Sequence, residues 1–377
     1  MGALFTRITS FANLLLAGRL ASRGKRFRAN VAAFNLNLEE ELHGLQQELA
    51  ERTYRPGPYE TFIVHDKKPR LISAAPFRDR VVHHVLCNVI EPIFDRSFLY
   101  DSYACRTGKG THAAVDRASH YARRFRYVLK CDMEKYFPSI DHAILMELIV
   151  ERIWDEGVLW LVHTILDGSN PQPEVRHYFP GDDLFAPFER RRGIPIGNQT
   201  SQFFANVYLD KLDYYVKETL RAPGYVRYVD DFLLFDDDKR RLHEARAAIE
   251  AFTDRLRVRL HPRKCFVAPV ASGFTFLGYR LFPAYRRLDA NNVRRFKRRL
   301  RQYREAVAEG RMSAGQRDDC VRSWVAHAMH ADTAQLRAKI LGKTASGVRH
   351  NITRGAGTRR ADLGGDRTPP YGVGRFL

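Results

Sequence analysis

Val81, Val82, Val85, Leu86, Val89, Ile90, Ile93 and Phe94 recur at the steps of a helix with one buried face. The same spacing returns in Phe203, Phe204, Val207, Tyr208, Leu212, Tyr215 and Val216. It appears again in Leu242, Ala245, Ile249, Phe252 and Leu256, and in Val293, Phe296, Leu300, Tyr303 and Val307. Between these helices the period changes to two. Phe125, Tyr127, Leu129 and Cys131 share one face, which predicts a strand ending at Asp132. Residues 225–235 read as a hairpin with Asp230 and Asp231 at its turn, and CFVAP and FTFLGYRLF add short strands. Residues 1–60 look helical and close on the turn-rich YRPGPYE; 62–77 read as extended chain around a basic turn, and 168–193 as a polar surface loop. The expectation is an α+β fold: helices on a small antiparallel sheet, then a helical C-terminal part. The Gly- and Arg-rich tail, 342–377, is expected to be disordered until it meets a partner.

Charge sharpens this picture. The chain has 62 Lys+Arg against 43 Asp+Glu, a net +19. A surplus of that size points to a polyanion, because each phosphate neutralised releases counterions. Nine of the basic residues lie between 286 and 304, with Asp289 as the one acid. Off the apolar stripe of that helix, Arg294, Arg295, Arg298, Arg299 and Arg301 are candidates for sequence-independent phosphate contacts. The five cysteines are scattered, with no CxxC pair and no zinc spacing, so a reduced, cytoplasmic setting is expected. The apolar FANLLLAG is too brief for a membrane span.

Two adjacent carboxylates between apolar runs, facing a third at a strand end, need an explanation. A DD pair is commonly a solvated turn. Here Asp132, Asp230 and Asp231 can converge on one sheet edge, where they repel one another unless cations neutralise them. Hard oxygen donors suit Mg²⁺, which keeps waters and binds substrate phosphates. Two such ions (Mn²⁺ is the alternative) stabilise the attacking and leaving oxygens of an in-line displacement at phosphorus.

The motif series carries a family resemblance. RYVDDFLLF resembles the YxDD motif of reverse transcriptases, and KCDMEKYFPSID their first catalytic motif. KPRLISAAPFRDRVV, GIPIGNQTSQFFANVYL, LHPRKCFVAP and FTFLGYRL follow the family's order over roughly residues 60–285. Where most such enzymes carry Gln before the Gly of the nucleotide-binding helix entrance, this chain has Ile196-Gly197. That IGNxTSQ form resembles the reverse transcriptases of diversity-generating retroelements, which copy a template RNA into cDNA with errors at template adenines.

The resemblance implies a right-hand polymerase: an N-terminal extension and fingers (1–124), a palm with part of the fingers (125–285), a helical thumb (286–341) and a basic tail (342–377). It implies Asp132, Asp230, Asp231 and the Met133 carbonyl as metal ligands, and Lys264 as proton donor to pyrophosphate. It places Arg70 and Lys68 (or Lys67) on the incoming triphosphate, and Ile196, Gly197 and Gln202 beside the nucleotide. It makes Phe137 the steric gate against a ribose 2′-hydroxyl, and sets Tyr228 against nucleic acid. Blander readings stand beside these: a basic turn for the lysines, core packing for Phe137, helix-entry packing for Ile196 and a surface lysine for Lys264. Implied partners are a cognate RNA template, a primer or cDNA, dNTPs and a small helical accessory protein oligomer. The alternatives are a defence-type or retron-like reverse transcriptase acting on a noncoding RNA against phage, and a non-catalytic RNA-binding scaffold. RTGKGTH lacks the Ser or Thr of a phosphate loop, and His83-His84 reads as structural.

Overall fold

The computed structural model describes residues 2–65 and 69–342. Lys67 and Lys68, and the tail expectation beyond residue 342, lie outside the described residues. The chain divides into two compact units, Met1–Thr333 and Ala334–Leu377. Of the second, the helix Ala334–Leu341 is described.

Within the first unit, the helices Ala3–Ile8, Phe11–Ser22, Ala29–Leu36 and Leu38–Ala50 precede a hairpin of β1 (Glu60–His65) and β2 (Pro69–Ala74). The long helix Phe77–Asp95 then crosses the core. Its stripe is buried as the spacing predicted, with Val81, Val82, Val85, Leu86 and Ile90 fully enclosed. Each such side chain contributes about 1.5–3 kcal/mol of burial energy. His83 joins them: enclosure holds its imidazole neutral, down at about 3. It is structural, as read.

The central sheet is antiparallel, in the order β4 (Gly224–Tyr228), β5 (Asp231–Asp236), β3 (Tyr127–Asp132), β6 (Phe266–Pro269). Helices cover it, so Val226 and Phe232–Phe235 are buried without alternation, as in a sheet packed on both faces. A smaller sheet joins β7 (Phe274–Phe276), β8 (Tyr279–Leu281) and β9 (Arg286–Leu288). Arg286 and Arg287 therefore lie in a strand; the basic helix begins at Ala290, capped by Asp289. The predicted helix over 203–216 is also interrupted. It runs Gln199–Tyr208, restarts at Asp210–Tyr214 and ends in a wider π turn, Tyr215–Thr219.

On the basic helix Ala290–Ala308, Phe296 and Leu300 face inward, and Phe296 stacks flat on Trp324 at 3.8 Å. Lys109 of RTGKGTH sits 3.3 Å from the Tyr100 ring centre and donates to the Tyr100 carbonyl, so that loop is spent on packing. Among the described residues, no helix is long and apolar enough to cross a membrane.

Candidate active site at the sheet edge

Long-range pairing assembles the acidic cluster. β3 and β5 run antiparallel with Asp132 opposite Asp231 in register. β4 and β5 form a hairpin whose last pair, Tyr228 and Asp231, leaves Val229 and Asp230 as a two-residue turn. Val229 has φ +56, an uncommon backbone for a β-branched residue. The Asp230 carbonyl accepts the Met133 N–H at 3.2 Å, tying the turn to the chain just past Asp132. The predicted hairpin holds, with one refinement: Asp230 is in the turn and Asp231 opens the returning strand.

Two lysines stand against these acids. Lys264 pairs with Asp132, and Lys130, which the sequence reading missed, lies 3.3 Å from Asp231 Oδ1. Lys130 also donates to the Thr275 carbonyl at 2.8 Å. Burial, then the charges of Asp132 and Asp231, pushes the Asp230 carboxyl up to about 6. Burial pushes Asp231 to about 6 as well, against the pull of Lys130. Asp231 Oδ1 is enclosed without a hydrogen bond. As the side chains stand, no group of three or more His, Cys, Asp or Glu among the described residues could hold a metal ion. The donor chemistry fits a hard dication all the same: carboxylates meet at one edge, two are held above their ordinary range, and one oxygen accepts no hydrogen bond.

Behind the turn lies a buried network with no counterpart in the sequence reading. Arg227 and Asp213 are fully enclosed and joined by two bonds of 2.6 Å. Arg227 also donates to the Val229 carbonyl at 3.1 Å and to Asn206, and the Tyr225 hydroxyl donates to Asp213. The available signal was an arginine in an otherwise apolar strand, GYVRY, two residues from a buried tyrosine.

The remaining candidates are spread over several elements. Met133 is buried, and Phe137 is half-buried edge-on to Tyr136, whose hydroxyl donates to the Ala205 carbonyl. Ile194 N–H donates to the Phe137 carbonyl, joining this segment to the helix entrance. There the Ile196 carbonyl accepts the Ser73 N–H of β2 at 3.1 Å. Gly197 has φ +121, and a Cβ on it would meet Ile72 Cγ2 at 3.3 Å, so β2 and the entrance pack at glycine distance. Arg70 is exposed on β2. Gln202 is exposed and accepts from the Cys105 thiol. Tyr228 accepts from the Thr111 hydroxyl at 3.3 Å. Arg294, Arg298, Arg299 and Arg301 are exposed on their helix, and Arg295 is half-buried.

Residues 64–281 match the family model described as reverse transcriptase (RNA-dependent DNA polymerase). Protein YkfC of Escherichia coli is 25% identical over 298 residues, covering 67% of this chain and 74% of that protein. The group II intron-encoded protein LtrA of Lactococcus lactis is 25% identical over 181 residues, 47% of this chain and 28% of LtrA. Among solved structures, apo telomerase from Candida tropicalis aligns over 63% of this chain and 49% of its own, with 11% identity and a TM-score of 0.47.

Proposed function

The chain belongs to the reverse transcriptase (RNA-dependent DNA polymerase) family, and from that membership we propose that it extends a primer along a cognate RNA to make cDNA within a diversity-generating retroelement. The observation that carries the polymerase reading is the pairing of Asp132 with Asp231 in register, with Asp230 in the turn beside them. A scaffold has no use for acids concentrated at the cost of their own repulsion. In this reading the fingers, palm, thumb and tail follow the boundaries 1–124, 125–285, 286–341 and 342–377.

Asp132 and Asp230, with Asp231 and the Met133 carbonyl, would hold Mg²⁺, which when bound supplies charge stabilisation to the attacking 3′-hydroxyl and the leaving pyrophosphate. Lys264, paired with Asp132 here, would donate the proton to the leaving pyrophosphate, assistance worth about 10²–10⁴-fold. Arg70, and Lys68 beside it, grip the triphosphate; a guanidinium fork suits phosphate geometry. Phe137 closes the space a ribose 2′-hydroxyl would need. Tyr228 and the thumb arginines hold the template–primer backbone, and the accessory protein oligomer would bind the same complex.

Protons and metal compete at this cluster, which gives a sign to test. Asp230 and Asp231 bind protons more tightly folded than unfolded. In metal-free protein their contribution to stability is therefore present below the ordinary carboxylate range, and is lost as pH rises through about 6. Mg²⁺ should raise the melting temperature more above pH 6 than below it, with proton release on binding. A pH-independent Mg²⁺ effect in calorimetry would count against the assignment.

The retroelement reading rests on Ile196. Its carbonyl is fixed by Ser73, and its side chain offers packing where a Gln would offer a hydrogen bond. Products sequenced after copying a defined RNA should carry errors concentrated at template adenines, and Ile196→Gln should reduce them. Uniform, accurate copying by wild type, or a spectrum untouched by Ile196→Gln, contradicts this reading and leaves the polymerase reading standing.

A further inference from the structure

A second charge anomaly lies in the first helices. Residues 1–38 hold Arg7, Arg19, Arg23, Lys25, Arg26 and Arg28 and no acid. Four of these crowd the turn between the helices Phe11–Ser22 and Ala29–Leu36, and in the middle of that turn Phe27 is fully exposed. Lys25 and Arg28 are locked one turn apart, the Arg28 N–H donating to the Lys25 carbonyl at 3.0 Å. Arg80, from the first turn of Phe77–Asp95, is near enough for its charge to act on Lys25 and to feel that of Arg28. Its Nε is taken by the Ala75 carbonyl at 2.8 Å.

Among the described residues, Lys25, Arg28 and Arg80 make no ion pair. Burial and then the neighbouring cations hold both Lys25 and Arg80 below their ordinary range. Lys25 also acts on His84, and Arg80 on His83. Glu60 is the carboxylate whose charge reaches Arg80, and it does not pair with it. Gathered cations without acids are offset by an anion. A lone aromatic ring in water beside them offers a stacking face, and the two together match a chain of phosphates carrying unpaired bases.

We propose that Lys25, Phe27, Arg28 and Arg80 form a docking site for single-stranded RNA, outside the carboxylate cluster. This deepens the polymerase reading by giving its RNA partner a second hold. Base stacking on Phe27 and phosphate contacts from the three cations make the site selective for unpaired RNA over a duplex.

The test uses the full chain without Mg²⁺ or dNTPs, binding a labelled oligouridine, the same strand in a duplex, and vesicles containing phosphatidylglycerol. Phe27→Ala should weaken oligouridine binding about tenfold and duplex binding far less. Arg28→Gln should lower the salt slope by about 0.7, one phosphate contact on a single strand. Trp154→Ala, which removes an aromatic that is also exposed, should bind as wild type. Wild-type oligouridine affinity in Phe27→Ala, equal losses on duplex and single strand, or a loss on vesicles alone would each overturn the site. Wild-type primer extension, measured in parallel, separates the two claims: a failed docking site with intact extension leaves the polymerase reading untouched, and the reverse result leaves the site standing.

Discussion

Asp230→Asn is expected to lower the rate of primer extension about a thousandfold or more. That corresponds to roughly 4 kcal/mol of lost transition-state stabilisation, in the range a dication supplies to charge developing at phosphorus. Asparagine keeps the volume and the turn, since the Asp230 contact to Met133 runs through its main-chain carbonyl. What it removes is a charge that Asp132 and Asp231 oppose. The same substitution should therefore leave the metal-free protein as stable as wild type, or more so, at pH 8, where the wild-type carboxyl must ionise. A steady-state assay and a melting curve read the two effects separately. Lost activity together with lost stability would mean that Asp230 holds the turn rather than serving the chemistry.

Arg227→Met is expected to cost about 3–5 kcal/mol of stability, the usual result of breaking a buried ion pair from one side. The substitution leaves Asp213 enclosed with only the Tyr225 hydroxyl, and releases the Val229 carbonyl that Arg227 holds. Replacing both partners, Arg227→Met with Asp213→Asn, should cost less than the single change, because no uncompensated charge remains. Urea unfolding of the single and paired variants measures this. A single-variant loss below about 1 kcal/mol would show that the pair does not support the turn.

The sequence made the local parts of this site legible and left their assembly out of sight. Alternation placed Asp132 at the end of a strand, and the apolar runs around Asp230-Asp231 placed those acids at a hairpin. Nothing local stated that β5 lies between β3 and β4, and that order is what sets Asp132 opposite Asp231. Lys130 escaped notice for the same reason: its partner is 101 residues away. The helical period was a sound guide to Phe77–Asp95 and to the stripe of Ala290–Ala308. It failed at Tyr208–Asp210, where a helix breaks while its apolar spacing continues through the break. β9 was hidden by its charge, because Arg286 and Arg287 read as the start of a basic helix. Arg227 was hidden by the habit of placing arginine at the surface, which its full burial against Asp213 overrides.

The most direct measurement is extension of a DNA primer annealed to an RNA template by the purified wild-type chain, with Mg²⁺ and either deoxy- or ribonucleotides. The predicted result is Mg²⁺-dependent cDNA reaching the template end with deoxynucleotides, and far less product with ribonucleotides, as the gate proposed at Phe137 predicts. No product on any RNA template, or product from ribonucleotides alone, would contradict the assignment of this sheet edge to RNA-directed DNA synthesis.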